Sequence, residues 1–315
     1  MKSILFITEG DPCGISYEIL QKSLDTIHEF AKKHLVVLVR SQDQVGVDLE
    51  EISLDKIPTR KNGFYSHSTI LDKMQRLELG VPSNLSGKIS YNSLLKAIEL
   101  QKKFGGNILT LPLSKEWVIR SGVSDFIGHT ETLAKEYSRN TFMLMYSQEF
   151  SVLPLTTHIP ITKVSEALSR IDWDGLFASI QNSILFQNPR IGLCGLNPHA
   201  GEGGKMGTEE INILNPVVEK FTKNGFNISF PISADSIFQK ENRSKFDIIL
   251  ACYHDQGLIP FKALVGMEGV NITLGLDFVR ISPDHGTAYS IAGKNLASPK
   301  SVQTAIQLLE RIYNR

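Results

Sequence analysis

Residues 3–39 read SILFITEGDPCGISYEILQKSLDTIHEFAKKHLVVLV. The apolar run at 3–8 predicts a short buried strand that ends at the turn Gly10-Asp11-Pro12. Apolar residues from Ile15 to Ala31 then recur at helical spacing, and 35–39 form a second apolar strand. This strand–helix–strand order is typical of α/β proteins with largely parallel sheets.

The same alternation continues through the rest of the chain. Further strands are predicted at 108–113, 142–146, 152–155, 190–196, 248–253 and 270–274, the second and third of these as a possible hairpin. Further helices are predicted at 90–104, 161–170, 174–186, 208–223 and 301–313. Residues 41–88 show no clear pattern and are predicted to be irregular.

Composition excludes several classes of protein. The 315 residues correspond to about two domains. The 33 basic and 33 acidic residues balance, which argues against a nucleic-acid-binding protein. No apolar stretch is long enough for a membrane span, and the first strand is too short for a signal peptide. Three scattered cysteines predict reduced, buried thiols, so we expect a soluble cytoplasmic protein.

The unusual residues gather where predicted strands end, which is where ligands bind in open α/β sheets. The segments that each follow a strand or open a helix are Gly10-Asp11-Pro12, 112–115 (PLSK), 128–131 (GHTE), Thr157-His158, 197–204 (NPHAGEGG) and 253–257 (YHDQG).

Histidine placement is the sharpest of these signals. His28 and His34 are predicted at the surface, whereas the strand-end or turn positions hold His129, His158, His199, His254 and His285. His158, His199 and His254 each follow an apolar strand and are too far apart for a zinc finger. Three neutral imidazoles would leave coordination positions open, as a catalytic divalent metal needs. The alternative is that each is an ordinary structural histidine.

Other polar positions also have two interpretations. Lys262 and Arg280, with Asn271 between them around a glycine-containing strand, could bind phosphate or carboxylate, or could be surface charge. The run 201–207 (GEGGKMG) could cradle an anion or form an ordinary tight loop. Asp235 could act in catalysis or cap a helix.

Taken together, the segments resemble one family. Residues 197–210 (NPHAGEGGKMGTEE), 253–257 (YHDQG), 269–276 (GVNITLGL) and 284–288 (DHGTA) are similar to the 4-hydroxythreonine-4-phosphate dehydrogenases of vitamin B6 synthesis, and the shorter segments occur in the family's order. The resemblance implies a two-domain isocitrate/isopropylmalate dehydrogenase-like fold with a cleft between the domains. One domain would comprise 1–130 plus 272–315, and the other 131–271.

The resemblance also implies roles for particular residues. The implied metal ligands are His158, His199 and His254; the implied substrate contacts are His129, Thr130, Lys262, Asn271 and Arg280; and the candidate general bases are Asp235 and Lys262. The cofactor would be NAD or NADP, bound without a Rossmann glycine fingerprint by residues not identified from sequence. The metal would be Zn, Co, Mn, Ni or Mg, and the enzyme a homodimer with its active site at the subunit interface.

The implied reaction is oxidation and decarboxylation of 4-phosphooxy-L-threonine to 3-amino-2-oxopropyl phosphate, so the partner is a small phosphorylated substrate. The main alternative is a paralogue acting on D-threonate or D-erythronate 4-phosphate. Less expected are a metal-dependent lyase or phosphatase and a non-catalytic binding protein. The chain departs from the family pattern at Glu9, Cys13, Ser16-Tyr17 and Ile127, around the expected cleft.

Overall fold

The computed structural model describes residues 4–41, 47–69 and 77–314. Ser3 and parts of the region 41–88, both covered by sequence predictions, lie outside the described residues. The chain divides into two compact units, one formed by Met1–Arg139 with Leu276–Arg315 and the other by Asn140–Gly275. The domains expected at 1–130 plus 272–315 and at 131–271 stay a prediction.

The first unit is built on a parallel sheet. Its elements are β1 (Ile4–Thr8), α1 (Ser16–Gln21), α2 (Leu24–Ala31), β2 (Leu35–Arg40), β3 (Gly63–Ser68), α3 (Asn84–Phe104), β4 (Asn107–Leu109), α4 (Lys115–Arg120) and α5 (His129–Tyr137). The chain returns to this unit later with two further elements, given below. The strands β3, β2, β1 and β4 are neighbours in that order, and every pair is parallel.

The second unit has a mixed sheet. Its elements are β5 (Phe142–Tyr146), β6 (Ser151–Pro154), α6 (Val164–Leu168), α7 (Trp173–Gln181), β7 (Arg190–Leu193), α8 (Asn215–Lys223), β8 (Asn227–Ile228), α9 (Ala234–Ile237), α10 (Lys240–Arg243), β9 (Ile248–Ala251), α11 (His254–Val265) and β10 (Val270–Leu274). The strand order is β10, β5, β6, β9, β7, β8. The pairs β10–β5 and β5–β6 are antiparallel, and the rest are parallel.

The chain then re-enters the first unit with β11 (Arg280–Pro283) and α12 (Lys300–Tyr313), and β11 lies parallel to β4. The core of this unit forms where apolar side chains of β1, β2 and α3 meet, including Phe6, Val37 and Leu94, which are all fully buried. Met145, Ile249 and Phe261 belong to the corresponding core of the second unit. None of the helices in the described part of the chain has both the length and the hydropathy of a transbilayer span.

Several sequence predictions need correction. The helical pattern from Ile15 to Ala31 forms two helices, because the backbone leaves the helical conformation at Ser23, with φ −104° and ψ 1°. The region 41–88 contains the polar strand β3 and the first turn of α3. His34 was predicted at the surface but is 6% exposed, between aromatic rings of the core. The predicted hairpin of β5 and β6 and the three buried free cysteines are confirmed.

Candidate active site

Three of the segments singled out in the sequence meet beside the first unit's sheet. The turn after β1 contacts the segment after β4, because Asp11 N donates to Pro112 O at 2.7 Å. It also contacts the segment after β11, where Ile15 N donates to Thr287 O at 3.0 Å. Gly10 has φ +66°, and a Cβ there would lie 2.5 Å from Pro112 O, so only glycine fits this close approach. These contacts place the carboxyl ends of adjacent parallel strands together, as ligand binding in α/β sheets requires.

A cavity of about 760 Å³ opens next to this turn within the first unit. Its lining includes Pro12, Gly14, Tyr17, Lys22, Gly293 and Asn295. The volume lies in the range of sites for small molecules and cofactors. Sequence reasoning identified no cofactor-binding residues, since the lining comes from segments almost 300 residues apart and no glycine fingerprint marks it.

Arg280 and His129 form a second polar site in the first unit. Arg280 is 2% exposed on β11 and donates from Nε to Thr110 Oγ1 at 3.1 Å. Burial lowers the pKa of this arginine to about 10, partly offset by the negative charge of Glu131. Even so, the guanidinium keeps its charge at neutral pH. A buried cation in this position suits an anionic ligand.

His129 begins α5 and lies within electrostatic reach of Arg280. Burial lowers its pKa well below the ordinary value, and the charge of Arg280 adds to the shift. Its Nε2 is buried and finds no hydrogen-bond partner among the described residues. The next residue, Thr130, is half-buried on the same first turn. A buried, unpartnered polar atom costs free energy unless a ligand or water satisfies it.

The three predicted metal histidines all follow neighbouring strands of the second unit. His158 comes four residues after β6, His254 opens α11 beyond β9, and His199 lies in the loop after β7. These strands are parallel and adjacent in the order β6, β9, β7. The sheet therefore carries the three histidines to one edge, although they are widely separated in sequence.

His158 and His254 approach each other most closely. Their ring centres are 5.7 Å apart. Two imidazoles that share one ion through bonds of about 2.0–2.1 Å would hold their centres about 5 Å apart, so the pair fits two ligands of one metal. The Oδ1 of Asp255 lies 2.7 Å from His254 Nδ1, which favours the tautomer with a free Nε2 lone pair. Sequence analysis missed this orienting role, although Asp255 belongs to the YHDQG segment.

His199 lies in a loop of unusual backbone. It has φ +52°, and His158 has φ +43°. Such conformations are uncommon for residues other than glycine and cluster at functional sites. Across residues 4–41, 47–69 and 77–314, no three His, Cys, Asp or Glu side chains are arranged to hold a metal ion. One chain therefore presents the pair of His158 and His254, with His199 outside it.

The glycine-rich run does not behave as an anion cradle. The carboxylate of Glu210 is buried against it and accepts a hydrogen bond from Asn197 N at 2.8 Å. A Cβ on Gly201, at φ +79°, would lie 2.7 Å from Glu210 Oε2. Negative charge at this position disfavours phosphate. The loop is better described as a tight support that carries His199.

The remaining candidates are spread over the second unit. Asp235 is exposed in the first turn of α9, where Ser233 occupies the cap position, so the capping interpretation is wrong. The Ser233 hydroxyl donates to Asp235 Oδ1 and lowers the pKa of that carboxyl, and the nearby His199 adds to the shift. Lys262 is exposed on α11, two turns beyond His254. Asn271 on β10 has a buried Oδ1 without a hydrogen-bond partner in the described part of the protein.

Comparison with known proteins agrees with this arrangement. The family model described as pyridoxal phosphate biosynthetic protein PdxA matches residues 18–309. A 4-hydroxythreonine-4-phosphate dehydrogenase from Sulfurihydrogenibium sp. is 39% identical over 326 residues, covering 96% of each chain. A D-threonate 4-phosphate dehydrogenase from Pectobacterium atrosepticum is 34% identical over 330 residues, covering 98% of each chain.

Solved structures give the same result. The 4-hydroxythreonine-4-phosphate dehydrogenase of Klebsiella pneumoniae superposes with a TM-score of 0.82 at 30% identity, covering 100% of this chain and 99% of that one. The isocitrate dehydrogenase of Methylococcus capsulatus, at 12% identity, a TM-score of 0.50 and coverage of 98% and 85%, shares the fold alone. The predicted isocitrate dehydrogenase-like α/β fold is thereby confirmed. The chain therefore belongs to the PdxA family of pyridoxal phosphate biosynthetic proteins, and it is an oxidoreductase of a family that implies a nicotinamide cofactor and a divalent metal.

Proposed function

We propose that this enzyme oxidises the C3 hydroxyl of 4-phosphooxy-L-threonine with NAD⁺ or NADP⁺ and a divalent metal. The resulting β-keto acid would then lose CO₂ to give 3-amino-2-oxopropyl phosphate. The observation that carries the proposal is the placement of His158, His199 and His254 beyond three adjacent parallel strands. The 39% identity to a 4-hydroxythreonine-4-phosphate dehydrogenase supports this substrate as the first to test.

We assign metal binding to these three histidines. The spacing of the His158 and His254 rings and the Asp255 contact to His254 support two of the ligands. A divalent ion bound there would polarise the substrate hydroxyl and stabilise developing negative charge, while the nicotinamide accepts the hydride. Zn, Co, Mn, Ni and Mg all remain to be compared as the metal.

We assign anion recognition to Arg280, His129 and Thr130. Arg280 would supply a permanent buried positive charge, and the unpartnered His129 Nε2 would gain a hydrogen-bond partner when the substrate binds. Asn271 would also gain a partner, but its buried Oδ1 is an acceptor, so it would bind a donor group of the substrate rather than its phosphate. Lys262 completes the proposed substrate contacts from its exposed position on α11.

The general base would be Asp235 or Lys262, and substitution of each residue separates the two roles. The lowered pKa of Asp235 keeps this carboxylate ionised throughout neutral pH. If Asp235 is the base, kcat will fall in acid only below the ordinary titration range of an aspartate, and Asp235→Asn will abolish turnover. If Lys262 is the base, Lys262→Met will abolish turnover, and Asp235→Asn will keep most of the activity.

The cavity of about 760 Å³ in the first unit is our candidate for the dinucleotide site. It lies beyond the carboxyl end of β1, and polar side chains such as Lys22 and Asn295 line it together with the glycine backbone at Gly14. We further propose a cytoplasmic location, because buried free thiols suit a reducing compartment. Fractionation that recovers the enzyme outside the cytoplasm would contradict this location.

The decisive experiment follows NAD(P)H absorbance with purified, metal-supplied enzyme. The substrates compared are 4-phosphooxy-L-threonine, D-threonate 4-phosphate and D-erythronate 4-phosphate, each with NAD⁺ and NADP⁺. We expect the fastest reduction with the threonine phosphate and loss of turnover with a chelator. Activity with a sugar-acid phosphate alone would favour the second candidate, which the 34% identity to a D-threonate 4-phosphate dehydrogenase supports.

A histidine variant tests the metal assignment directly. His199→Ala should remove metal-dependent turnover and leave the fold intact, as judged by circular dichroism. His28→Ala is the matched control, because His28 is exposed on α2 and should keep full activity. Full activity in His199→Ala would overturn the site assignment.

A further inference from the structure

Glu9 is a buried carboxyl that no step of the proposed reaction uses. It follows β1 and is 0% exposed. Its Oε1 accepts hydrogen bonds from Ser41 N at 2.8 Å and Ser41 Oγ at 2.7 Å, at the end of β2. Its Oε2 accepts from Tyr17 OH at 2.7 Å. Its backbone N donates to Ser93 Oγ on α3 at 3.0 Å. One residue thus connects the ends of two strands with two helices.

The contact with Tyr17 carries this network to the cavity of the first unit. Tyr17 lies on α1, is 4% exposed, and lines the cavity of about 760 Å³. A tyrosine ring has only two side-chain torsions, so a hydrogen bond at its hydroxyl largely fixes its position. Glu9 therefore holds the position of one side chain that lines the cavity, although Glu9 itself is not part of the lining.

We propose that Glu9 is a positioning residue for the nicotinamide dinucleotide, acting by holding the ring of Tyr17 as a wall of its binding cavity. This inference rests on the proposed function and on the assignment of the dinucleotide to this cavity. It predicts tighter dinucleotide binding while Glu9 is ionised than after it takes up a proton.

The number of hydrogens around the Glu9 carboxylate explains this dependence on its ionisation. Three hydrogens point at the ionised carboxylate, from Ser41 N, Ser41 Oγ and Tyr17 OH. Oε1 already accepts two hydrogens, so a proton there displaces the hydrogen of the Ser41 hydroxyl, whereas a proton on Oε2 shares that oxygen with the hydrogen of Tyr17 OH. Hydrogen bonds to a charged acceptor are about twice as strong as neutral ones, so protonation of either oxygen weakens the bond from Tyr17.

The surroundings of Glu9 place its protonation near neutral pH. Burial raises its pKa to about 7, opposed by the hydrogen bonds from Ser41 and Tyr17 and by the charge of Arg40 on β2. From α3 it meets Ser93, which does not titrate in this range. Two charged residues line the same cavity, Glu18 on α1 and Lys22 just after it, and they form an ion pair at 3.0 Å.

The test measures dinucleotide binding by calorimetry between pH 5.5 and 8.5, with magnesium present and no substrate. For the wild type, Kd for the preferred dinucleotide should rise about three- to tenfold as the pH falls, with its midpoint near 7. Glu9→Gln cannot titrate and should give a Kd that is independent of pH over this range. Tyr17→Phe should bind more weakly at pH 8.5 and lose most of the pH dependence.

Tyr313→Phe is the matched control. Tyr313 is also partly buried in this unit, and its hydroxyl bonds Asn107 Nδ2 at 2.6 Å and Ile4 O at 3.0 Å, but it does not line the cavity. This variant should keep the Kd of the wild type and its pH dependence. If Glu9→Gln does not fold, Tyr17→Phe decides the question alone.

Two different results would contradict two different claims. Binding by the wild type with a flat pH profile, or a Tyr17→Phe variant that keeps the wild-type profile, would overturn the role of Glu9. Absence of binding to either dinucleotide at every pH would instead overturn the proposed nicotinamide chemistry.

Discussion

Buried histidines in this protein differ in what surrounds them. His34 packs between Phe30 and Tyr313, with ring centres 4.4 and 4.8 Å away. Both of its ring nitrogens are buried without hydrogen-bond partners in the described structure, and burial lowers its pKa. It differs from His129, whose unpartnered nitrogen lies beside a buried arginine. The charged neighbours of His34 are Lys33 and Glu310, which form a solvent-accessible pair rather than a buried charge. We therefore interpret His34 as a structural residue that costs stability.

Replacing His34 with phenylalanine should make the protein less sensitive to acid. The unfolded state titrates near 6.5, and the folded state titrates lower, so the unfolded state binds more protons as pH falls below 6.5. The His34 imidazole therefore lowers the free energy of unfolding as the pH falls below 6.5. In urea unfolding, the difference in stability between pH 8 and pH 5 should be smaller in His34→Phe than in the wild type.

His28→Ala is the control for this change, because His28 is exposed and its removal should leave the pH dependence unaltered. Comparing two pH values within each variant cancels any packing difference between histidine and phenylalanine. If the stability of His34→Phe falls as much between pH 8 and pH 5 as that of the wild type, other groups set the sensitivity to acid.

At the scale of residues, the sequence predicted which residues are candidates for the site better than it predicted their neighbours in space. The strand-end positions of His158, His199 and His254 followed from apolar runs alone. By contrast, the buried Arg280 contacts Thr110, which lies 170 positions away in the chain, and no local sequence pattern predicts such a contact. Glu9 and Tyr17 stood out separately as departures from the family pattern, but only the fold brings one against the other.

Among the elements, α3 and α4 pack closely at a glycine. A Cβ added to Gly87 would lie 2.1 Å from Trp117 O and 2.8 Å from Val118 N. Both atoms belong to the backbone of α4, so no side chain can move aside. The capping box of Ser83 and Ser86, with bonds of 3.0 and 3.2 Å, fixes the start of α3 just before this contact.

Gly87→Ala should therefore destabilise the fold strongly. Alanine favours a helix over glycine by about 1 kcal/mol, but the clash with the backbone of α4 should cost more, giving a net loss of about 2–3 kcal/mol. Thermal and urea unfolding measure the loss. Gly286→Ala is the control, because its Cβ would meet open space, and its stability should change by less than about 0.5 kcal/mol. Equal stability of the two variants would contradict the close packing.

The sequence predicted apolar elements well and polar ones poorly. The strand at 270–274 agrees with β10, and the final helix is confirmed within one residue of its predicted start. β3 (GFYSHS) was missed because its side chains are mostly polar, and its pairing with β2 comes from the neighbouring strand. The predicted helix at 208–223 instead begins with a wider π-helical turn at Glu210–Leu214, where Glu210 bonds the loop that carries His199.

At the level of the whole molecule, the proposed metal site takes its ligands either from one chain or from two. The single chain brings His158 and His254 to 5.7 Å, and its described residues contain no set of three His, Cys, Asp or Glu side chains arranged to hold a metal. The homodimer with its active site at the subunit interface, which the family resemblance implies, stays a prediction. In a two-fold dimer, each of two identical sites would then take ligands from both chains.

Mixing two inactive variants tests this sharing. His199→Ala and His254→Ala should each be inactive alone. If His199 and His254 of one site come from different chains, a mixed dimer carries both changes in one site and neither in the other. Random re-association of equal amounts should then restore about one quarter of wild-type activity, since half the dimers are mixed and each has one intact site. If both ligands come from one chain, every site carries a change and activity stays at the level of the separate variants, which would place the complete triad within a single subunit.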